Sequence, residues 1–474
     1  DGGCIGRVAP SSLRADLQQA LRGLAPGQPS AIVRIATGYA IVRIDPAGGT
    51  SPATGGLSAD VPGAGLNASL SATGSVKIML EVSGFGEART TLAHHQPSDW
   101  NARPDTLCSA RTASLANAHT ALSQRLTSLQ SASTSSPGDL LEAHMAIALL
   151  HAYDGVMTPA LEHFTAARAI AGEHAPETAV MLDEVLGIAH LHAAEVENDV
   201  QASPGRQFLL SEKGFPPLAK PAHAEQAIRY FEAFLRKHPE AFEVTWLLNM
   251  AYMATGGYPG KVPPAHLIAP EALAAAGDVG RFPDIATALG LESVSMAGGV
   301  IVDDFDNDGS LEVVTSSMEN CGPMRYFARG ANGRYADGGT RSCLAAQVGA
   351  LNIVQGDYDN DGCVDILVLR GGWELSARKS LMRNRCDGTF EDVTEKSGLA
   401  RPLTATQTAA WTDIDNYGHL DIFIGNENAP AQLFLNQQDG TFIEVGAAAG
   451  IARASFAKGV AAGDFDNDGW QDLY

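Results

Sequence analysis

The chain is short of positive charge: 32 lysines and arginines stand against 54 aspartates and glutamates, a formal net charge of −22 over 474 residues. With no basic stripe to displace phosphate counterions, this charge argues against nucleic acid as a partner. Long apolar runs are missing as well. None reaches the ~18 residues that a membrane helix needs, and no targeting segment is visible. The signatures of common catalytic machineries are absent: there is no nucleophile elbow, Ser/His/Asp order, Walker loop or dinucleotide fingerprint. No His-Glu-x-x-His, zinc-type cysteine spacing or haem Cys-x-x-Cys-His is found either. Cysteines are few, but their number, 6, is even, which is compatible with an oxidising compartment. The length suffices for two or three domains with cores of their own.

What the sequence does hold is one acidic nine-residue pattern, repeated at intervals of roughly fifty residues. Its copies are Asp304-Phe-Asp-Asn-Asp-Gly-Ser-Leu-Glu312, Asp357-Tyr-Asp-Asn-Asp-Gly-Cys-Val-Asp365, Asp413-Ile-Asp-Asn-Tyr-Gly-His-Leu-Asp421 and Asp464-Phe-Asp-Asn-Asp-Gly-Trp-Gln-Asp472. The spacing points to calcium, a hard cation that takes several oxygens in a flexible shell. Carboxylates at positions 1, 3 and 5 can turn inward together, glycine at position 6 permits the reversal, position 7 offers its carbonyl, and the acid at position 9 closes the cage. The expected ligands are therefore Asp304, Asp306, Asp308, Ser310 and Glu312; Asp357, Asp359, Asp361, Cys363 and Asp365; Asp413, Asp415, Tyr417, His419 and Asp421; and Asp464, Asp466, Asp468, Trp470 and Asp472. Asp-Asn-Gly clusters are also ordinary turn chemistry. Against that reading, four copies with three or four carboxylates each would repel one another if uncompensated. Three to four calcium ions are expected. The third copy, with Tyr417 in place of an acid, should lose its ion first. Apolar β-branched runs on either side place each loop at the tip of a β-hairpin.

The wider unit repeats too. Runs beginning at Phe282, Phe390 and Phe442 precede the first, third and fourth loops, and Asp-Gly-Thr-Phe turns begin at Asp387 and Asp439, after Leu-Met-Arg-Asn and Leu-Phe-Leu-Asn. About four short strands per fifty-residue unit is the size of a propeller blade. At these residues the chain resembles the FG-GAP (VCBS) propeller family, whose Asp-rich repeats occur in integrin α-subunit heads and in cartilage acidic protein. It is closer to bacterial secreted proteins that join tetratricopeptide-like helices to such repeats, with Trp246-Leu-Leu-Asn-Met-Ala-Tyr-Met and Val262-Pro-Pro-Ala-His-Leu-Ile resembling their hinge into the first blade. The resemblance covers about Ala224 to Tyr474. It implies a propeller and calcium, and much less about activity. Family members usually continue into further blades, so a chain stopping at Tyr474 is expected to be a fragment, with the remaining blades or a neighbouring chain beyond it. Its opening at Asp1 without methionine is read as removal of an export signal. On a blade with the calcium loop between its first two strands, Cys321–Cys343 and Cys363–Cys386 are each expected to pair within one blade, leaving Cys4 and Cys108 to clasp the N-terminal region. Buried free thiols are the alternative.

From Pro104 to about Gly256 the chain is helical and alanine-rich. Asp139 with Glu142 is expected to cap a helix over Leu140 to His151, and Thr158-Pro159 to start the next, with Ala160, Phe164, Ala167 and Ile170 on one apolar face. Paired helices of this kind stack as tetratricopeptide-like repeats; a plain bundle is the alternative. His144, His151, His163, His190 and His192 raise a metal or haem site, but His144 and His151 are two turns apart, and capping or surface roles are the simpler expectation. In front of the helices, Ser12 to Leu24 has helical spacing, Ala31-Ile-Val-Arg-Ile-Ala and Tyr39-Ala-Ile-Val-Arg-Ile read as strands, and Val76 to Val82 as another. Asn67 sits in a glycosylation pattern and His94-His95 in a polar loop.

The expected fold is thus multi-domain α + β: a small β-rich domain over 1–103, a tetratricopeptide-like helical domain over 104–270, and an incomplete FG-GAP-type β-propeller over 271–474. The expected function is a secreted, periplasmic or cell-surface calcium-binding scaffold for a protein or glycan partner, with no nucleic acid and no membrane span. The alternatives are an enzyme or redox subunit with a transition-metal centre, and a structural subunit of a larger surface complex.

Overall fold

The computed structural model describes residues 101–200, 217–273, 280, 282–372 and 376–474, with the backbone of two short strands nearer the N-terminus. The chain divides into two compact units, Asp1–Ala64 and Gly65–Tyr474. The first is described through β1 (Val33–Ile35) and β2 (Gly38–Ala40), which pair antiparallel with Ile35 opposite Gly38. The expectations for Cys4, Ser12 to Leu24, Asn67, Val76 to Val82 and His94-His95 lie outside the described residues.

Six helices open the described part of the second unit: α1 (Pro104–Ser131), α2 (Pro137–Tyr153), α3 (Met157–His174), α4 (Pro176–Glu197), α5 (Ala222–Leu235) and α6 (Phe242–Ala254). Each packs against the next in sequence. Alanine-rich faces make this possible, because small side chains let neighbouring helices approach while leucines fill the gaps. In α2, Ala143, Ala146, Ile147 and Leu150 pack on α1, whereas Met145, Ala148 and Leu149 join α3 and α4, so the helix is buried on two sides. Gly187 of α4 makes room for the Phe231 ring of α5, which a Cβ there would strike. The cap of α2 is Ser136 and not Asp139: Asp139 is the third helical residue, and the two exchange side-chain-to-backbone bonds of 3.1 and 3.0 Å. Asp139 is thus the acidic partner of a capping box whose serine lies three residues earlier. Thr158 caps nothing, since α3 begins a residue before it, behind Val156.

Beyond the helices lie antiparallel sheets, each following the last in sequence. The first is β3 (Val300–Asp303), β4 (Glu312–Thr315), β5 (Arg325–Arg329) and β6 (Tyr335–Asp337); the second is β7 (Ala350–Gly356), β8 (Asp365–Arg370), β9 (Ser380–Asn384) and β10 (Phe390–Asp392). The third is β11 (Thr406–Thr412), β12 (Asp421–Pro430), β13 (Gln432–Asn436) and β14 (Phe442–Glu444), with β15 (Ala454–Phe456) on the far end of β12. The last is the pair β16 (Ala462–Gly463) and β17 (Asp472–Leu473). These sheets remain separate, and the described residues form no closed barrel. They stack through alternating side chains. On β8, Ile366 and Val368 pack with Ile301, Val314 and Tyr326 of the first sheet, while Leu367 and Leu369 pack with Ile422, Ile424 and Phe434 of the third. A strand buried on both faces reads as an unbroken apolar run, as Ile-Leu-Val-Leu does here.

The helices are tied to the sheets covalently. Cys108 of α1 bonds Cys321, between β4 and β5, with Cα atoms 4.6 Å apart. Cys363 bonds Cys386 across 5.2 Å, as expected from the blade reading. The pairings Cys321–Cys343 and Cys4–Cys108 are overturned, and Cys343 is an exposed free thiol. The reason is packing: Leu107 and Ala110 bury α1 against Val348, which brings Cys108 over the first sheet. Digestion without reduction should therefore yield a peptide linking Cys108 to Cys321 and another linking Cys363 to Cys386, with Cys343 alkylated beforehand. Because the first bond spans 213 residues, Cys321→Ser should cost about 2–5 kcal/mol in urea unfolding.

Candidate functional site

Each acidic nonapeptide joins the first two strands of its sheet. Asp303 pairs with Glu312, Gly356 with Asp365, Thr412 with Asp421 and Gly463 with Asp472, so the ninth residue opens the second strand every time. The first aspartate organises the loop. Its two oxygens accept the N–H groups of positions 5 and 6: Asp304 from Asp308 and Gly309 (3.0 and 2.9 Å), Asp357 from Asp361 and Gly362 (3.1 and 2.9 Å). Asp413 does the same for Tyr417 and Gly418 (3.1 and 2.9 Å), and Asp464 for Asp468 and Gly469 (3.0 and 2.9 Å). The position-6 glycines have φ between 84° and 92°, which their lack of a Cβ permits.

This folding draws acids together. Within 4.8 Å of one another lie oxygens of Asp304, Asp306 and Asp308; of Asp357, Asp359 and Asp361; of Asp413, Asp415 and Asp421; and of Asp464, Asp466 and Asp472. In the third and fourth loops the closing acid is the third member of the group, although only the third lacks an acid at position 5, where Tyr417 is 73% exposed. The expected cage thus differs from loop to loop. Glu312 and Asp365 serve the backbone: Glu312 accepts Phe305 N–H at 2.9 Å, and Asp365 accepts Tyr358 at 3.2 Å and Asn384 at 2.8 Å. Asp421 likewise accepts Ile414 and Asn436, at 2.9 and 2.7 Å. Burial pushes Glu312 up to about 7 and Asp365 up to about 8, and raises Asp421 too. Of the position-7 residues, Ser310, Cys363 and Trp470 donate their N–H to the acid two residues earlier, at 2.7, 3.0 and 2.9 Å. His419 meets Asn360 of the preceding loop at 3.2 Å. The sulfur of Cys363 is committed to its disulfide and is no thiolate ligand.

The asparagines at position 4 were not among the expected site residues, yet they link the loops. Asn307, Asn360, Asn416 and Asn467 have φ of 56–61°, a left-handed conformation that asparagine tolerates. Asn307 donates to the carbonyl of Gly362 at 3.3 Å, Asn360 to Gly418 at 2.8 Å and Asn416 to Gly469 at 3.0 Å, each reaching the next loop. Asn384 and Asn436 stitch the other way: Asn384 donates to Phe305 and Val364 (2.8 and 3.0 Å), Asn436 to Tyr358 and Leu420 (2.8 and 3.1 Å). The signal for them was present in the repeats, since asparagine holds position 4 in all four copies. Arg383 of β9 was missed as well, and it has no such repeat signal. Its guanidinium reaches Asp359 at 2.9 Å and Asp361 at 3.0 Å.

The donor set fits a hard divalent cation. It is all oxygen, it is crowded with like charge, and Asp359 keeps one oxygen, Oδ1, buried without a hydrogen-bond partner.

The helical histidines meet in separate contacts between helices. Nδ1 of His144 lies 2.9 Å from Nδ1 of His163, and Nδ1 of His190 lies 3.0 Å from Nδ1 of His223. The rings of His151 and His119 lie 4.3 Å apart, tilted by 32°, and His119 meets Asp154 at 2.6 Å, while His192 faces Glu195 at 3.4 Å. His163 stands between the two histidines that are two turns apart, its ring 5.0 Å from that of His144 and 6.4 Å from that of His151.

A family model described as FG-GAP-like repeat matches residues 283–368 and 413–474, so the chain carries FG-GAP-like repeats. It is also similar to cartilage acidic protein 1 over 85 residues: 37% identical to that of Mus musculus, 46% to Homo sapiens and 41% to Xenopus tropicalis. Each match covers 18% of this chain and spans 13% of the relative's length.

Two outcomes are expected. Asp365→Ala strands the buried N–H groups of Tyr358 and Asn384 and should cost about 2–5 kcal/mol in urea unfolding, with Asp365→Asn recovering part of it. Burial lowers His144, His151 and His163 and holds His190 at about 4. Unfolded imidazoles take protons below about 6.5, where these folded ones do not, so the unfolded state gains as pH falls. The melting midpoint should drop by a few degrees from pH 7 to pH 5, and His190→Phe, which keeps a ring beside Tyr230, should flatten that slope.

Proposed function

We propose that this chain is a secreted, calcium-stabilised β-propeller-type scaffold with a tetratricopeptide-like helical arm, acting in binding or assembly with a protein or glycan partner. The observation that carries it is the convergence of three carboxylates within 4.8 Å in each of four successive loops. Calcium there would neutralise that charge and hold the hairpin tips rigid. Asp304, Asp357, Asp413 and Asp464 position the loop backbone and the other acids complete the oxygen cage. Stacking of successive four-stranded sheets, as in blades, supports the propeller, and packing of each helix on the next supports the repeat arm. Two disulfides and an acidic surface fit an oxidising, calcium-rich compartment. With the ions fixing one end of each hairpin, the connections at the other end are free to vary for recognition.

A second reading, a redox or enzymatic subunit, draws on the paired imidazoles His144/His163 and His190/His223. Elemental analysis of native, unchelated protein separates the two: calcium without stoichiometric copper, iron or zinc supports the scaffold. At free calcium about a hundred times Kd, each site adds about 2.7 kcal/mol. A chelator should accordingly lower the melting midpoint by many degrees, with calcium restoring it; an unchanged midpoint would falsify the calcium mechanism.

A further inference from the structure

Among the described residues, the second loop differs from the first and third in already holding a cation. Arg383 places Nε 2.9 Å from Oδ2 of Asp359 and Nη2 3.0 Å from Oδ2 of Asp361, two of the three acids that converge there. Strand register identifies its counterparts. The residue after each closing acid pairs with Phe327 in the first sheet, Met382 in the second and Phe434 in the third. One position on, the first sheet has Ala328 and the third has Leu435, neither of which can bridge two carboxylates.

The guanidinium is held where it is by its neighbours. Asn384, next in the chain, donates its N–H to Asp365 at 2.8 Å and its side-chain amide to Phe305 and Val364. Two residues further, Cys386 is bonded to Cys363 inside the loop, so the start of the β9–β10 turn cannot leave it. A planar fork bridging two carboxylates supplies the neutralisation and the geometry that an ion would supply. An ion seated among the same oxygens would meet the guanidinium at like-charge range. Yet the Arg383 side chain is 44% exposed, so it has room to swing outward.

We propose that Arg383 is the resident cation of the second loop: this loop keeps its shape in the absence of calcium and admits an ion only when the guanidinium is displaced. The proposal rests on the calcium reading of the other loops. It makes the second loop, and not the tyrosine-bearing third, the weakest site.

The test is calcium titration of the full chain, by calorimetry and native mass spectrometry, for the wild type and for Arg383→Leu, the residue found at the third sheet's position. The wild type should bind about three ions tightly, and Arg383→Leu should tighten the remaining site at least about tenfold, giving about four. Hydrogen exchange of the wild type in chelator gives a reading that survives misfolding of the variant. There the amides of Asp361 and Gly362 should stay protected while those of Asp308 and Gly309 exchange. Four equivalent ions in the wild type, or equal exchange in both loops, overturns the role of Arg383 and leaves the calcium reading standing. Absence of calcium binding in both proteins overturns the calcium reading and this proposal with it.

Discussion

Crowding of negative charge at the hairpin tips is the constraint on which the sheet region depends. Three carboxylates with oxygens within 4.8 Å of one another repel unless hydrogen-bond donors or a cation offset their charge. The chain meets that repulsion in two ways. In every loop the first aspartate gives its oxygens to backbone N–H groups, which offsets charge while fixing the turn. In the second loop a guanidinium joins in. Burial of Glu312, Asp365 and Asp421 raises their proton affinity, and backbone donors work against that rise.

The loops are not independent hairpin tips. Position-4 asparagines reach forward to the glycine carbonyl of the next loop, and Asn384 and Asn436 reach back to Phe305 and Tyr358 of the loop before. Below this row, Phe305 and Tyr358 sit in successive apolar clusters between the sheets. Hydrogen bonds at the rim and side-chain packing beneath it thereby join these loops to one another. Charge balance and sheet stacking act on the same residues.

The helical region reaches its order by other means. Small residues let α1 to α6 pack in succession, and Leu107 and Ala110 anchor α1 on the first sheet, where Cys108 finds Cys321. The two halves thus meet through a bond that neither repeat pattern announces. Facing histidines between adjacent helices arise from the same packing. Burial lowers the proton affinity of these imidazoles, whereas it raises that of the buried carboxylates in the sheets.

By itself the sequence determined what depends on local spacing: the hairpin loops, their acids, the left-handed glycines, the four-strand unit, the helical stretch and the Cys363–Cys386 bond. Each follows from residues within one repeat, where the chain's own connectivity limits the options. Tertiary structure decided what joins one repeat to another. The partner of Cys108, the pairing of His144 with His163, and the hydrogen bonds that tie each loop to the next all join elements that meet only in the fold. Even the asparagine at position 4, visible in all four copies, acquired its role only when the sheets stacked, because its acceptor lies in the next loop and packing alone brings that loop within hydrogen-bonding range.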